Sequence, residues 1–213
     1  MDFLPSLSVM LAFTVASVFL CITPGPDMTL FLSRTLSNGK SSGIASAFGT
    51  STGCLVHTML AVLGISALLA ASPFAFWVLK IVGAVYLLWL GYEAVFKGST
   101  FRLDGDEGQE TSLLKSYFMG IGINILNPKV VIFFITFLPQ FVSVDDPAAW
   151  QKMLFLGVVF VVLTLPITIV MVLMADQFAE KLKQNPKITR IIDWIFGTIF
   201  AAFAVRILLA EGR

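Results

Sequence analysis

Six long apolar segments alternate with short polar ones along this chain of 213 residues. An α-helix needs about 20 apolar residues to cross a bilayer, and each segment is near or above that length. The pattern therefore predicts an all-α polytopic membrane protein with six transmembrane helices. The predicted spans, in chain order, are about Leu7 to Leu36, Ser42 to Ala70, Phe74 to Phe96, Tyr117 to Val142, Met153 to Met174 and Ile191 to Leu209.

Two of the predicted spans contain residues that do not continue a helix. Span one holds Pro24-Gly25-Pro26-Asp27, and span four holds Asn127-Pro128-Lys129. Proline lacks the backbone donor and clashes with the preceding turn, and glycine tolerates backbone angles that other residues resist. We therefore expect helices one and four to be broken. Broken helices that carry buried charges are typical of solute or ion sites in transporters.

The two halves of the chain resemble each other. Pro26-Asp27 recurs 102 residues later as Pro128-Lys129, and an apolar, aromatic stretch follows both pairs. Because each half holds three predicted spans, the second half enters the membrane inverted, as in many secondary transporters. The prediction is one transmembrane domain over residues 1–213, with repeat one at about 1–96, a cytoplasmic loop at about 97–115 and repeat two at about 116–213.

Basic residues are distributed unevenly between the two sides of the predicted membrane domain. The loops after spans one, three and five hold nine Lys and Arg residues, whereas the opposite side holds four at most. Cytoplasmic loops carry the excess of basic residues in membrane proteins. Both termini are therefore expected outside.

Composition narrows the functional classes. Hydrophobic residues make up 57% of the chain and charged residues 13%, which is about half the charged share of a soluble domain. The 14 basic and 13 acidic residues nearly cancel, which argues against a nucleic-acid partner. One histidine and two separated cysteines, Cys21 and Cys54, offer no constellation for catalysis, so we expect no enzyme and no metal or cofactor site. The thiols are expected to pack as small hydrophobes without a disulfide.

Asp27 and Lys129 form the chemically informative pair. At 1.5 Å per residue, both breaks lie roughly 10–18 Å inside the membrane, near its midplane. Either each charge offsets the energetic cost of burying the other, or each charge binds one end of a zwitterion. In a purely structural alternative, Asn127 and Asp27 cap the helices that follow, Pro128 begins its helix and Lys129 snorkels. Opposite charges at equivalent positions in lipid favour a functional site.

Span two carries small residues at helical spacing. Gly49, Gly53 and His57 follow one another at intervals of four, and Gly43 precedes them. The glycines predict a seam at which another helix approaches closely, either in the same subunit or between subunits of a homo-oligomer. His57, the only histidine, either titrates as a proton relay or hydrogen-bonds across this seam.

Several stretches resemble motifs of the LysE/RhtB family of bacterial amino-acid exporters. They are I-T-P-G-P-D in span one, G-x5-G-x3-G-x3-H in span two, L-K-I-V-G-A-V-Y-L-L-W-L-G in span three, and N-I-L-N-P-K-V-V-I-F-F and F-L-P-Q-F-V in span four. The resemblance covers essentially the whole chain. It implies a six-span exporter in the bacterial inner membrane, driven by the proton gradient. The family's motif residues here are Pro24, Gly25, Pro26, Asp27, Asn127, Pro128 and Lys129.

These patterns lead to one functional hypothesis and two alternatives. In the hypothesis, a zwitterionic amino acid binds between the broken helices, where Asp27 takes the ammonium group or the coupling proton while Lys129 and Asn127 face the carboxylate. A neutral substrate is favoured because the only other acid near a span is Glu93. The alternatives are a channel-like or scaffolding membrane subunit, which would not need charges at both breaks, and an exporter of another small solute or cation.

Overall fold

The computed structural model describes residues 4–71, 73–92, 95–96, 112–142 and 146–177, together with isolated positions between 187 and 205. These residues are helical wherever they form regular structure. The α-helices are α1 (Leu7–Ile22), α2 (Pro26–Asn38), α3 (Lys40–Ala71), α4 (Pro73–Tyr92), α5 (Leu113–Leu126), α6 (Pro128–Ile132) and α7 (Ala149–Leu173). A π-helical turn, Phe133–Phe137, and a 3-10 turn, Leu138–Phe141, continue α6. Most of the predicted cytoplasmic loop and of span six lies outside the described residues.

The predicted breaks in spans one and four are confirmed. The axes of α1 and α2 are bent by 51°, and those of α5 and the Pro128–Phe141 segment by 58°. The first break begins where the Thr23 backbone leaves the helix, while its hydroxyl still donates to the Phe19 carbonyl at 2.6 Å. Proline occupies the first position of both following helices, where its missing N–H has no partner to lose.

Among the described residues, two single helices are long and apolar enough to cross a membrane. They are Lys40–Gly64 within α3, with a mean hydropathy of 1.3, and α7, with a mean hydropathy of 2.8. Each bent pair also meets the criterion when it is counted as one span, which raises the number to four. Large apolar side chains such as Leu7, Leu63 and Val162 face outward on these helices, as expected for a surface that contacts lipid.

The seam predicted for span two is the contact between α3 and α5 within the same chain. A Cβ atom on Gly49 would overlap the Tyr117 carbonyl, and one on Gly120 would overlap the Ser46 carbonyl. The two backbones approach this closely because neither glycine carries a side chain. The helix α3 also packs against α2 and α7, so it is the central helix of the described structure.

Two clusters of buried apolar side chains hold the broken helices in place. The first contains Phe13, Phe133, Phe134, Phe137 and Phe160, whose rings pack in tilted and edge-to-face arrangements. The second contains Met28, Phe31, Leu32, Met171 and Val172, from α2 and α7. Members of both clusters line the cavity at which the two breaks meet.

Candidate functional site

Asp27 lies in the first turn of α2, where the helix begins at Pro26. Its Oδ2 atom accepts a hydrogen bond from Asn124 Nδ2 at 2.7 Å, and its Oδ1 atom is buried without a hydrogen-bond partner. The N-cap of α2 is Gly25, so the alternative that Asp27 itself caps a helix beginning at Met28 is wrong. A carboxylate in the first turn is favoured by the partial positive charge of a helix N-terminus.

Lys129 points to the other side of the same break. Its Nζ atom donates to the carbonyls of Thr23 at 2.8 Å and Leu20 at 3.2 Å. These carbonyls belong to the last turn of α1, which has no further helical N–H groups to satisfy them. Lys129 therefore closes the C-terminal end of α1, where a cation is favoured, and does not snorkel to a membrane surface.

Asp27 and Lys129 do not pair directly. Among the ion pairs and hydrogen bonds between described residues, none joins the carboxylate to the ammonium group. Gly25 lies beside the lysine, since a Cβ atom at that position would be 3.0 Å from Nζ. The two charges are instead held separately, each against the end of a different helix.

Asn124, which the sequence patterns did not single out, contacts the acid. It is fully buried on α5, and its Nδ2 atom also approaches Cys54 Sγ at 3.5 Å. Its Oδ1 atom is buried without a partner. The signal available in the sequence was an asparagine in an apolar helix, three residues before Asn127 and hence on the same face.

Asn127 forms the second break as predicted. Its Oδ1 atom accepts from the backbone N–H of Lys129 at 3.1 Å, which makes it the N-cap of α6, with Pro128 at the first helical position. Its Nδ2 atom is buried and makes no hydrogen bond of ordinary length, although the amide is near enough to Asp27 to stabilise the charged carboxylate as a longer donor. A buried donor therefore remains uncommitted near the carboxylate.

Asp27 and Lys129 line one cavity together. The cavity has a volume of about 50 Å³, several times the ~10–15 Å³ that one water molecule needs. Its wall combines these charges with hydroxyl groups, two thiols and apolar side chains. The remaining lining residues are Leu20, Cys21, Thr23, Met28, Phe31, Thr50, Ser51, Cys54, Asn124, Val130, Phe160, Thr164 and Thr168.

His57 and the two cysteines have different surroundings. His57 is buried in the seam, where Nε2 is 3.3 Å from the Asn124 carbonyl and the ring stacks on Phe134. It does not line the cavity. Cys21 and Cys54 are free thiols that do line it, and Cys21 Sγ is 3.7 Å from Thr168 Oγ1. Within the described part of the chain, no group of three or more His, Cys, Asp or Glu side chains could hold a metal ion.

The predicted site residues thus have three kinds of position. Asp27 and Lys129 face the cavity, while Gly25 leaves room for the lysine. The residues Pro24, Pro26, Asn127 and Pro128 shape the two breaks. His57 lies behind the cavity, where it contacts Asn124, which bonds to Asp27, and Phe134, which packs against the cavity-lining Phe160.

A helical membrane protein whose broken helices bring an acid and a base to one cavity has the architecture of a membrane transporter. Residues 18–211 match the family described as LysE type translocator, and the chain belongs to this family. It is therefore a transport protein rather than an enzyme.

Curated relatives match the chain over nearly its whole length. An uncharacterized membrane protein of Bacillus subtilis (strain 168), YrhP, is 30% identical over 205 residues, which cover 92% of this chain and 97% of the relative. A leucine efflux protein of Klebsiella pneumoniae is 27% identical, covering 92% and 93%. A leucine efflux protein of Enterobacter sp. (strain 638) is 25% identical, covering 92% of each. No solved structure gives a significant match.

Proposed function

We propose that this protein exports neutral, zwitterionic amino acids from the bacterial cytoplasm in exchange for protons. The observation that carries the proposal is the cavity shared by Asp27 and Lys129, which are charged oppositely yet are not paired with each other. Family membership and the relatives named leucine efflux proteins support the class of substrate. The inner membrane is the proposed location, since the named relatives are bacterial.

Hydrogen-bond capacity at the two charges supports a zwitterion as the ligand. A lysine ammonium has three N–H donors, and Lys129 commits two of them to the Thr23 and Leu20 carbonyls. One donor is left for a carboxylate, with the Asn127 Nδ2 donor nearby. Asp27 has an unpartnered buried oxygen, Oδ1, which suits an ammonium group. One α-carboxylate and one α-ammonium would use both groups.

The rest of the wall favours a neutral, apolar side chain. Phe31, Met28 and Phe160 supply apolar surface, and Thr164 and Thr168 supply hydroxyl groups. A cationic side chain would need a second acid, and Asp27 is the acid among the lining residues. Glu93, the other acid near a span, lies outside the described residues.

The architecture that we propose is two inverted three-helix repeats. The two bent pairs support it, because each half contains a helix broken at a proline, with similar bends of 51° and 58°. Inversion would place the two breaks at similar depth, and alternating access would then rock one repeat against the other around a fixed site.

Asp27 is the proposed coupling group. In its charged form it would hold the substrate ammonium, and protonation from outside would remove that attraction, release the substrate and reset the carrier. Asp146, by contrast, is not expected to take up a proton during transport. Hydrogen bonds from Lys152 and from the Ala148 N–H keep the pKa of its carboxyl below the usual range. Asp146 therefore stays ionised at physiological pH and provides a matched acid for comparison.

A metabolite-resolved efflux assay, with and without expression, tests the function and identifies the substrate. We expect one or a few neutral amino acids to appear outside the cells, with an efflux rate that saturates and depends on the pH gradient. Asp27→Asn should abolish the gradient dependence, and Asp146→Asn should leave it unchanged. Wild-type, gradient-dependent efflux from Asp27→Asn would contradict the proposed role, and efflux without saturation or coupling would indicate a channel instead.

Lys129→Ala separates substrate binding from folding. The variant removes the donor offered to the carboxylate, and the last carbonyls of α1 can take water from the cavity in its place. We expect substrate affinity to fall by about tenfold or more while the protein still inserts, because a hydrogen bond to a charged group contributes roughly 1.5–3 kcal/mol. Loss of insertion or expression would show that Lys129 is mainly structural.

A further inference from the structure

Asn124 is fixed in position by contacts with several elements. Its backbone carbonyl accepts from His57 Nε2 on α3 at 3.3 Å and from the Asn127 N–H at 3.1 Å. Its side chain lies against Gly53, where a Cβ atom would overlap the amide. From this fixed backbone, Nδ2 reaches Asp27 Oδ2 at 2.7 Å. The amide is thus held at the acid by the helix that it belongs to and by α3.

Two buried oxygen atoms at this contact have no hydrogen-bond partner. They are Asp27 Oδ1 and Asn124 Oδ1. A buried polar atom without a partner costs roughly 1–3 kcal/mol, so such atoms call for a physical explanation. While Asp27 is charged, Asn124 Oδ1 cannot bond to it, because both groups are acceptors and a carboxylate carries no proton to donate. When Asp27 is protonated, its O–H can donate a hydrogen bond to Asn124 Oδ1.

We propose that Asn124 is a positioning residue that holds Asp27 in both its charged and its protonated forms. The charged form accepts from Nδ2, which is the contact in the structure. For the protonated form, half a turn of the amide presents Asn124 Oδ1 to the acid O–H. The amide fills the space beside Gly53, which has no side chain, and half a turn exchanges an oxygen atom and an NH₂ group of similar size within that space. This inference deepens the proposed function and rests on its protonation step.

Other groups surround Asp27 without taking this role. Lys129 faces it from α6, Cys21 from α1, and His57 and Cys54 from α3. From α7, the hydroxyls of Thr164 and Thr168 line the same cavity. Asn127 also faces the acid, but its Nδ2 atom makes no hydrogen bond of ordinary length to the carboxylate, whereas Asn124 Nδ2 donates to Oδ2 at 2.7 Å. An amide is suited to the task because it carries a donor and an acceptor on one rotatable group.

Infrared titration of the purified full-length protein in lipid nanodiscs tests the inference without any transport measurement. The carboxylic-acid C=O band of Asp27 is assigned by its absence in Asp27→Asn. Two variants of similar volume are compared with wild type, Asn124→Asp and Asn124→Leu. Ser116→Ala serves as the control, because Ser116 is a buried side chain of the same helix, and its hydroxyl has no partner among the described residues.

The two variants should behave differently. In Asn124→Asp, two neighbouring carboxylates share a proton, so the band should persist to a pH about one unit or more above the wild-type midpoint. In Asn124→Leu, the charged and the protonated forms both lose their partner. Its midpoint should rise, because the lost bond to the charged form is stronger than the lost bond to the neutral form. The position of the band should also shift, because the acid O–H is no longer bonded.

Three results would overturn the inference. A band in Asn124→Leu at the wild-type position would mean that the protonated acid is not bonded to Asn124, so that the amide serves the charged form alone. An unchanged band in Asn124→Asp would mean that the two side chains do not interact, and this variant alone decides if Asn124→Leu does not fold. Absence of a titrating Asp27 band in the wild-type protein would show that Asp27 has no protonated form for Asn124 to hold. Normal titration in a protein that moves no amino acid would instead refute the proposed function and leave the inference standing.

Discussion

Each charge of the site lies at a helix end and is not hydrogen-bonded to the opposite charge. Asp27 lies in the first turn of α2, and Lys129 donates to the carbonyls that α1 leaves open at Leu20 and Thr23. A helix carries about half a positive charge at its N-terminus and half a negative charge at its C-terminus. A single broken helix therefore provides favourable places for an anion and a cation next to each other.

Gly25→Ala tests how closely Lys129 must approach this break. The added Cβ atom would lie 3.0 Å from Nζ and 3.3 Å from Cε, so the flexible side chain must move away from the Thr23 carbonyl. The backbone is not strained, because Gly25 is extended, with φ −178° and ψ −177°. We expect substrate affinity to fall by about tenfold, which corresponds to ~1.4 kcal/mol. Equilibrium binding measures the change.

Gly122→Ala is the control for this prediction, since nothing lies within 4 Å of a Cβ atom at Gly122. Wild-type affinity in Gly25→Ala would show that the position of Lys129 tolerates such a shift.

The sequence identified the two charges of this site but not their partners. Asp27 and Lys129 stand out because charges in apolar spans are costly wherever they occur, which is a local property of the chain. The partners depend on which helices cross, and no local pattern specifies that crossing. Asn127 was predicted for the site from its place before Pro128, whereas Asn124, three residues earlier, was not predicted and donates the hydrogen bond to the acid.

Helix breaks could be predicted, whereas the irregular end of the second bent segment could not. Proline and glycine determine the breaks through their own backbone chemistry. Span four was expected as helix to Val142, but a π-helical turn and a 3-10 turn occupy Phe133–Phe141. These turns accompany the packing of Phe133, Phe134 and Phe137 into the core and the position of Pro139. Such packing is decided by the tertiary structure.

The seam between α3 and α5 provides a test of helix packing. Gly120→Ala places a Cβ atom against the Ser46 carbonyl, and a backbone atom cannot move aside as a side chain can. We expect the free energy of unfolding to fall by about 1–3 kcal/mol, which is typical of an overpacked interface. The melting temperature in detergent should therefore be lower than that of wild type.

The matched control lies on the same helix. Gly122→Ala adds the same methyl group where nothing is within 4 Å, so the melting temperature should stay the same or rise slightly. Equal destabilisation by both substitutions would indicate that loss of glycine itself, rather than the seam, is responsible.

For the whole molecule, the number of spans and their orientation remain predictions from hydropathy and charge. Two described helices qualify as spans alone, and the two bent pairs add two more. The predicted loop at about 97–115 and span six fall mainly outside the described residues. Nine basic residues on one side nonetheless predict which side is cytoplasmic.

Reporter fusions test this orientation directly. Alkaline phosphatase fused after residue 213 should be active, because it folds outside, and green fluorescent protein at the same point should be dark. Fusions within the loop at about 97–115 should give the reverse. A fluorescent C-terminal fusion would contradict the outside termini. The same reporter result at the C-terminus and in the loop would contradict two three-span halves.

The bonds between Lys129 and the end of α1 imply a competition. An anion that enters the cavity either uses the remaining ammonium donor or displaces the Thr23 or Leu20 carbonyl. In the second case, the protein's own backbone is a rival ligand, and the measured affinity is the difference between two binding energies. Anion binding in the cavity and order at the C-terminal turn of α1 are then coupled. Because such coupling is reciprocal, a substitution that frays that turn would raise the affinity for an anion.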